Sequence, residues 1–504
     1  MKKISKVLAI GLSALILLAG MALVFTGCQK KEAAPAAAVG STADYDFFIF
    51  NTKGENADAM QAAVNAYQTK TGLKIKLFSL GSGTNSDDAL RADMTSRNPP
   101  AIFCVMNPQA LKEWVEGDFA TDFATATNLD PTFKTLADNV DKNLWLTTDG
   151  NTNYGIPFNV EGYGYIVDKE MIAALFGAGN VDGVLAGLTA CGWDDFKAFV
   201  EAVDAYIKNG TAGNVTLAGK SFALASSKTG KAASLKAVFS MAGSEKWTYG
   251  DHLVNIACDA VFPNVAAAVA ATDAQVDSMK GAFIAYAKCL DLMSSHSISP
   301  RGPEFINSTT NGYDACVNNF ANSETLFIKQ GNWVYTNIEK ANAAICPTLT
   351  FVPIKMPFQQ SDIKVPGLTV EKLITSIPVF VPNYYLINKK VDVKVQQEAE
   401  KFLVWLNTDP EGQKFVTKDM AFIPYNADPA ATKLGNSLGD SIISYMAKGA
   451  TITNAYAGAP VSWSGDTFGL KIMESYLTKA TWTEQDYSDI ADYGIQMWKQ
   501  MKNQ

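Results

Sequence analysis

Glu161 is the one acid inside "YGIPFNVEGYGY" (residues 154–165), set between Val160 and the apolar run 163–167 and flanked by Gly162 and Gly164. A carboxylate placed there either faces water from a strand or accepts hydrogen bonds from a ligand, with the added strength of its charge. Few other residues suggest covalent or acid–base chemistry. The two histidines, His252 and His296, stand in unrelated contexts, and no HExxH, GxSxG, phosphate-loop or CxxC motif occurs. The pattern points away from an enzyme and implies no cofactor. A pair of glycosidase-type carboxylates is the exception, because its two acids can lie far apart in sequence. Adjacent tyrosines in "NYYLIN" have the chemistry to ligate iron, but Tyr384 and Tyr385 on one strand point to opposite faces. With Leu386 and Ile387 following, they read as sheet packing, and no metal is expected.

Aromatic and amide residues in loops are the stronger lead. Sugars offer flat C–H faces that stack on Trp and Tyr, ringed by hydroxyls that need partners such as Asn, Asp, Glu and Lys. A desolvated hydroxyl left unpaired costs about 1–3 kcal/mol, which lets such a site discriminate. Trp247 in "SEKWTYG", Trp333 in "QGNWVY" and Trp463 in "PVSWSGD" stand beside Gly, Ser or Asn, as rings presented to a cleft would. Trp114, Trp193 and Trp405 read as structural.

The elements that must hold these groups follow from periodicity. "YDFFIF", "LKIKLFSL" and "PPAIFCVM" read as strands, each followed by a helical stretch, which makes a parallel α/β sheet. Ligands of such sheets bind beyond the carboxyl ends of the strands. The loops there are "NTKGEN", with Asn51 and Lys53, "GSGTNSDD", with Asn85, and "NPQ", with Asn107. From Trp193 the pattern is mainly helical. Strand character returns at 325–338, 349–357 and 374–388, and an amphipathic helix then carries Ala399, Phe402, Leu403 and Leu406 on one face. Asp409-Pro410 starts another helix, with Pro at its first position.

Bulk properties set the compartment. Lys2, Lys3 and Lys6 precede an almost unbroken apolar run over 7–25, and "FTGC" ends at Cys28. This is a secretory signal (residues 1–27) with a lipoprotein-type processing site; the alternative is an uncleaved membrane anchor. Residues 28–43 are small and Ala/Pro-rich, a flexible tether. Losing 1–27 would take the formal charge from −8 to −11, a balance that argues against nucleic acid. The remaining length is too great for one core and implies two domains. Six further cysteines, with no CxxC spacing, are either buried thiols or one or two bridges.

In order along the chain, these segments resemble the carbohydrate-type extracellular solute-binding proteins of ABC importers. "YGIPFNVEGYGYIVDKEMI" is similar to the family's Tyr-x-x-Pro segment and following strand, with Asp168 where an Asn is usual. "GWDDFKAFV" and "FIKQGNWVYTNI" resemble two further family segments. "AEKFLVWLNTDPEGQKFV" matches the family's helix pair almost position by position. "RADMTSRNPPAIFCV" resembles a fifth segment but lacks its Gly and Asp. The resemblance implies a two-lobed periplasmic-binding-protein-like α/β fold, closing on ligand like a hinged clamp. Lobe 1 would be 44–158 with 326–376, and lobe 2 159–325 with 377–504. Strands would cross between lobes near 156–160, 325–328 and 376–378.

By the same resemblance Glu161 would lie at the cleft floor, with Asn159, Tyr163 and Ser376 near the crossings, and Trp333 would stack on ligand. The implied function is an extracytoplasmic, membrane-anchored subunit lipidated at Cys28 and monomeric, passing a sugar or oligosaccharide to permease transmembrane subunits. The alternatives are another solute, such as a polyol or peptide, or a surface glycan hydrolase or adhesin.

Overall fold

The structure, a computed structural model, describes residues 44–81, 86–106, 108–148 and 151–502. The expected signal peptide (1–27) and tether (28–43), with Cys28, therefore lie outside the described residues. The described residues all fall in one compact unit.

Along the chain the strands are β1 (Phe47–Asn51), β2 (Ile75–Ser79), β3 (Ile102–Val105), β4 (Ile156–Pro157), β5 (Glu161–Asp168), β6 (Asn214–Leu217) and β7 (Lys220–Ala223). There follow β8 (Ala237–Ser240), β9 (Thr325–Gly331), β10 (Leu349–Val352), β11 (Ile377–Phe380), β12 (Tyr384–Ile387) and β13 (Thr451–Ile452). Two larger sheets divide them. The first runs β2-β1-β3-β12-β4, with β1 parallel to β2 and β3, and β12 antiparallel to β3 and β4. The second runs β13-β11-β5-β9-β8, and β10 pairs with the far half of β5. The short hairpin β6–β7 lies in the stretch read from sequence as mainly helical.

Both faces of the central strands β1, β3 and β12 are buried, as their apolar sequences require, while edge strand β2 is partly exposed. Phe47 and Ile49 pack with Met60, Val64, Phe402 and Leu406, while Phe48 and Phe50 pack with Leu90, Trp114 and Leu146. The helix Val393–Thr408 supplies the expected stripe, and Ala399, Phe402, Leu403 and Leu406 are all buried. Asp409 caps the next helix, Pro410–Lys414, by accepting from the Glu411 N–H at 2.9 Å. Tyr384 and Tyr385 do face opposite sides of their sheet, one in each of those two clusters.

Sheet membership moves the lobe limits. β9 lies inside the second sheet between β5 and β8, so 325–328 is not a crossing and 326–376 does not belong with the first lobe. β12 and the helix Val393–Thr408 belong with the first lobe, not the second. The chain passes between sheets at 158–160, at 381–383 and again at 422–423. These three segments lie side by side: the Phe158 N–H donates to the Asn383 carbonyl at 2.9 Å, and the Val160 N–H to the Ile423 carbonyl at 2.8 Å. Expected near 156–160, 325–328 and 376–378, the passages between sheets lie at these three segments, and Ile156–Pro157 belongs to the first sheet. An apolar strand such as "TLFIKQG" looks the same in sequence whether it is central or crossing.

All six cysteines described are buried and unpaired. No single described helix is long and apolar enough to cross a membrane.

Candidate functional site

Where the first crossing ends, β5 begins with Glu161, its Cα opposite Phe380 of β11. The side chain meets the loop that follows β1 in the other lobe. Lys53 Nζ lies 2.5 Å from Glu161 Oε1 and 3.3 Å from Glu55 Oε1, and only 6% of Lys53 and 2% of Glu161 are exposed. Glu161 is therefore not a water-facing acid; it is one end of a buried ion pair.

Local bonding holds the lysine there. Asn51 Oδ1 accepts from the Lys53 N–H at 3.1 Å, while its amide donates to Ser79 Oγ at 2.9 Å. Thr52 Oγ1 donates to Asn383 Oδ1 at 3.0 Å, tying the loop to the second crossing, and the Asn56 amide donates to the Met420 carbonyl at 2.7 Å, just before the third. On the Glu161 side, Asn159 Nδ2 donates to the same Oε1 at 3.2 Å, and the Gly162 N–H donates to Asn332 Oδ1 at 3.0 Å. A Cβ on Gly162 would stand 3.0 Å from the Pro378 carbonyl, so this glycine serves strand packing and not ligand approach.

The charges are unevenly matched. Burial works against the Lys53 charge, but Glu161 and Glu55 outweigh it and raise its pKa above the ordinary lysine value. Burial also raises Glu161 above the usual glutamate range, by more than Lys53 and the Asn159 amide lower it. The lysine keeps its proton.

Above this floor stands an aromatic group on the second lobe. His252 lies 4.7 Å from Tyr163 and 4.9 Å from Trp333, ring centre to ring centre. Trp247 lies 5.4 Å from His252, 6.0 Å from Tyr313 and 6.3 Å from Trp333, and Phe380 closes the group 5.9 Å from Tyr163. Trp247 and Trp333 are half-buried. Any side chain at Gly331 would run into the Trp333 ring, so a bare Cα is what lets that ring lie down against its own strand. Both indole N–H groups are used within the lobe: Trp333 donates to Gln330 Oε1 at 3.0 Å and Trp247 to Glu245 Oε2 at 3.2 Å. Burial, then the charges of Lys329 and Lys53, push His252 well below its ordinary value, so it is neutral. Behind it Lys329 bonds the Thr248 carbonyl, and burial brings this lysine down to about 7. Asp251 is pushed up to about 6 by burial, against the Ser464 bond and the charge of Lys329.

Of the residues named from sequence, the structure brings together Lys53, Asn159, Glu161, Tyr163, Trp247 and Trp333, with Asn51 as a support for Lys53. Asn85 and Asn107 lie outside the described residues. Trp463 is core: it is fully buried, its indole donates to the Gly494 carbonyl at 2.9 Å, and its ring stacks on Phe468. Ser376 ends the helix Val370–Thr375, just before β11 and four residues from Phe380, the residue opposite Glu161, about 13 Å along an extended chain. Sequence reasoning missed Glu55, Glu245, His252, Tyr313 and Phe380. Glu55 was in a loop already singled out; the others carry no local signal. Among the described residues no cluster of His, Cys, Asp or Glu fits a metal ion.

Two mixed sheets joined by three side-by-side crossings, with a polar loop of one lobe facing an aromatic wall of the other, define a two-lobed solute-binding fold. Residues 62–439 match the family model described as bacterial extracellular solute-binding protein, and the chain belongs to that family. Its place of action is accordingly outside the cytoplasm. Solved structures share the fold. A chitin oligosaccharide binding protein aligns with a TM-score of 0.61 at 15% identity, over 91% of this chain and 99% of its own. The binding protein RafE, in complex with raffinose, aligns with a TM-score of 0.58 at 14% identity, over 90% and 99%. The GacH receptor of Streptomyces glaucescens, solved unliganded and with acarbose, gives 0.57 at 10% identity, over 91% and 98%. No curated protein sequence matches the chain.

Proposed function

We propose that this protein is the substrate-binding lipoprotein of an ABC importer, capturing a sugar or oligosaccharide between its lobes and delivering it to the permease. The observation that carries the reading is the pairing of half-buried Trp247 and Trp333 on one lobe with the Asn51–Lys53–Glu55 loop of the other. Indole faces take the C–H face of a pyranose, and carboxylates and amides take its hydroxyls. The similar structures named for chitin oligosaccharide, raffinose and acarbose support the same ligand class. Closure works by population shift: a ligand touching both lobes favours the closed form that the permease recognises. The mature chain is held to the membrane by lipid on Cys28 and acts as a monomer.

A thermal-shift screen of mono- and oligosaccharides tests the ligand class, since a ligand at 100 times its Kd adds about 2.7 kcal/mol to the folded state. A hit recovered chemically unchanged supports binding; a hit returned cleaved makes the protein a hydrolase. Cys28→Ala should abolish lipidation, and normal acylation of that variant would remove the anchor from the account.

A further inference from the structure

Charges and hydrogen-bonding groups around the cleft floor are unbalanced in the same direction. Four carboxylates, Glu55, Asp314, Glu161 and Glu245, act on Tyr313 of the aromatic wall, and three of them, all but Asp314, stand around the floor and its Trp247. Lys53 supplies one cation among them. Deeper in, Lys329 and Asp251 are one of each sign, and His252 is neutral. Most donors near the floor are already committed: both indoles, the Gly162 N–H, one N–H of the Asn159 amide and two of Lys53 have partners within the protein. Acceptors are left over. Both bonds to Glu161 fall on Oε1, and no donor among the described residues reaches its Oε2. Oδ1 of fully buried Asn159, beside that carboxylate, likewise has no donor.

We propose that the ligand of this cleft carries a protonated amine, seated between Glu55, Glu161 and the Asn159 carbonyl below and the Trp247, Tyr313 and Trp333 rings above. An ammonium brings three donors and no acceptor, which is what the floor lacks; a hydroxyl adds an acceptor for every donor. Aromatic faces attract the same charge, tryptophan most strongly. The inference rests on the reading of this cleft as the solute site, and it narrows the sugar to an amino sugar. A linear polyamine offers the same ammonium chemistry without the sugar, so the test separates the two.

The test is calorimetric titration of the full mature chain with a glucosamine trisaccharide, its N-acetylated counterpart and spermidine, at low and high salt. The amino trisaccharide should bind about tenfold tighter than the acetylated one, the scale of one partly desolvated cation–π contact. The advantage should shrink as salt rises. Glu55→Gln should reduce the ratio several-fold while lowering the unliganded melting temperature less than Lys53→Met does, because Glu161 still pairs with Lys53 at 2.5 Å. Spermidine binding above both sugars would support the cation and overturn the sugar reading. Equal or tighter binding of the acetylated sugar would overturn the inference and leave the sugar reading standing. Failure of every amine to bind would overturn it as well.

Discussion

The two lobes face each other with different chemistry. The first offers a short polar loop, 51–56, whose side chains are fixed by bonds to the crossing segments. The second offers a wall of rings, Tyr163, Trp247, His252, Tyr313, Trp333 and Phe380, whose polar atoms are mostly turned back into their own lobe. Such a division separates two jobs. Rings give affinity by burying area with little rotamer entropy to lose, while charges and amides select which hydroxyl or amine is accepted. A ligand satisfied by one lobe alone would bind without closing the clamp.

The comparison breaks most visibly at Lys53. Replacing it with Met leaves Glu161 buried beside Glu55 with no cation, and loss of one partner of a buried pair costs about 3–5 kcal/mol. Urea unfolding should show a lowered midpoint; an unchanged midpoint would mean the pair is not formed in solution. Glu161→Gln belongs to the same contact. Seen only as a ligand-facing acid, Glu161 could be neutralised without loss of stability, but with Lys53 2.5 Å away the substitution should destabilise, with Glu55 limiting the loss.

Two tryptophans sharpen the contrast within the second lobe. Trp463→Ala removes a fully buried ring and should cost about 3–5 kcal/mol of stability while leaving affinity per folded molecule intact. Trp333→Ala should do the reverse, weakening ligand binding by about 1–3 kcal/mol with little change in the unliganded melting temperature. Calorimetry and unfolding curves on the same samples decide both.

A smaller effect concerns what the ring wall rests on. The folded pKa of Lys329, about 7, lies below its ordinary 10.5, so between these values the unfolded chain binds more protons and stability rises with pH. Asp251 runs the other way: raised from 3.8 to about 6, its contribution is full at low pH and lost as pH rises through about 6. Lys329→Met should flatten the rise above about pH 7 in urea-unfolding stability and, by removing a charge that holds Asp251 down, move the acid limb to higher pH. A slope unaltered by the substitution would show that Lys329 titrates normally.

Much of the first lobe was legible because its strands and helices have clean periods. The stripe of Val393–Thr408 and the opposed tyrosines of β12 followed from spacing alone. The lobe limits were not legible, since pairing of β9 with β5, rather than any property of its own residues, decides its sheet. Lys53 and Glu161 were each picked out, yet their contact joins residues 108 apart in sequence, and no local pattern records it. Trp463 and Trp333 have the same kind of neighbours in sequence, small and polar. Only the packing of Phe283, Phe468 and Trp498 around the first makes it core.

The central claim is that one ligand touches both lobes, and one substitution on each side tests it most directly. Wild type, Glu55→Gln and Trp333→Ala would be titrated calorimetrically with the oligosaccharide found by the thermal-shift screen. Both substitutions should weaken binding, each by about 1–3 kcal/mol, the range for one charged hydrogen bond and for one ring anchor. Undiminished affinity in either variant would place the ligand on a single lobe and contradict the account.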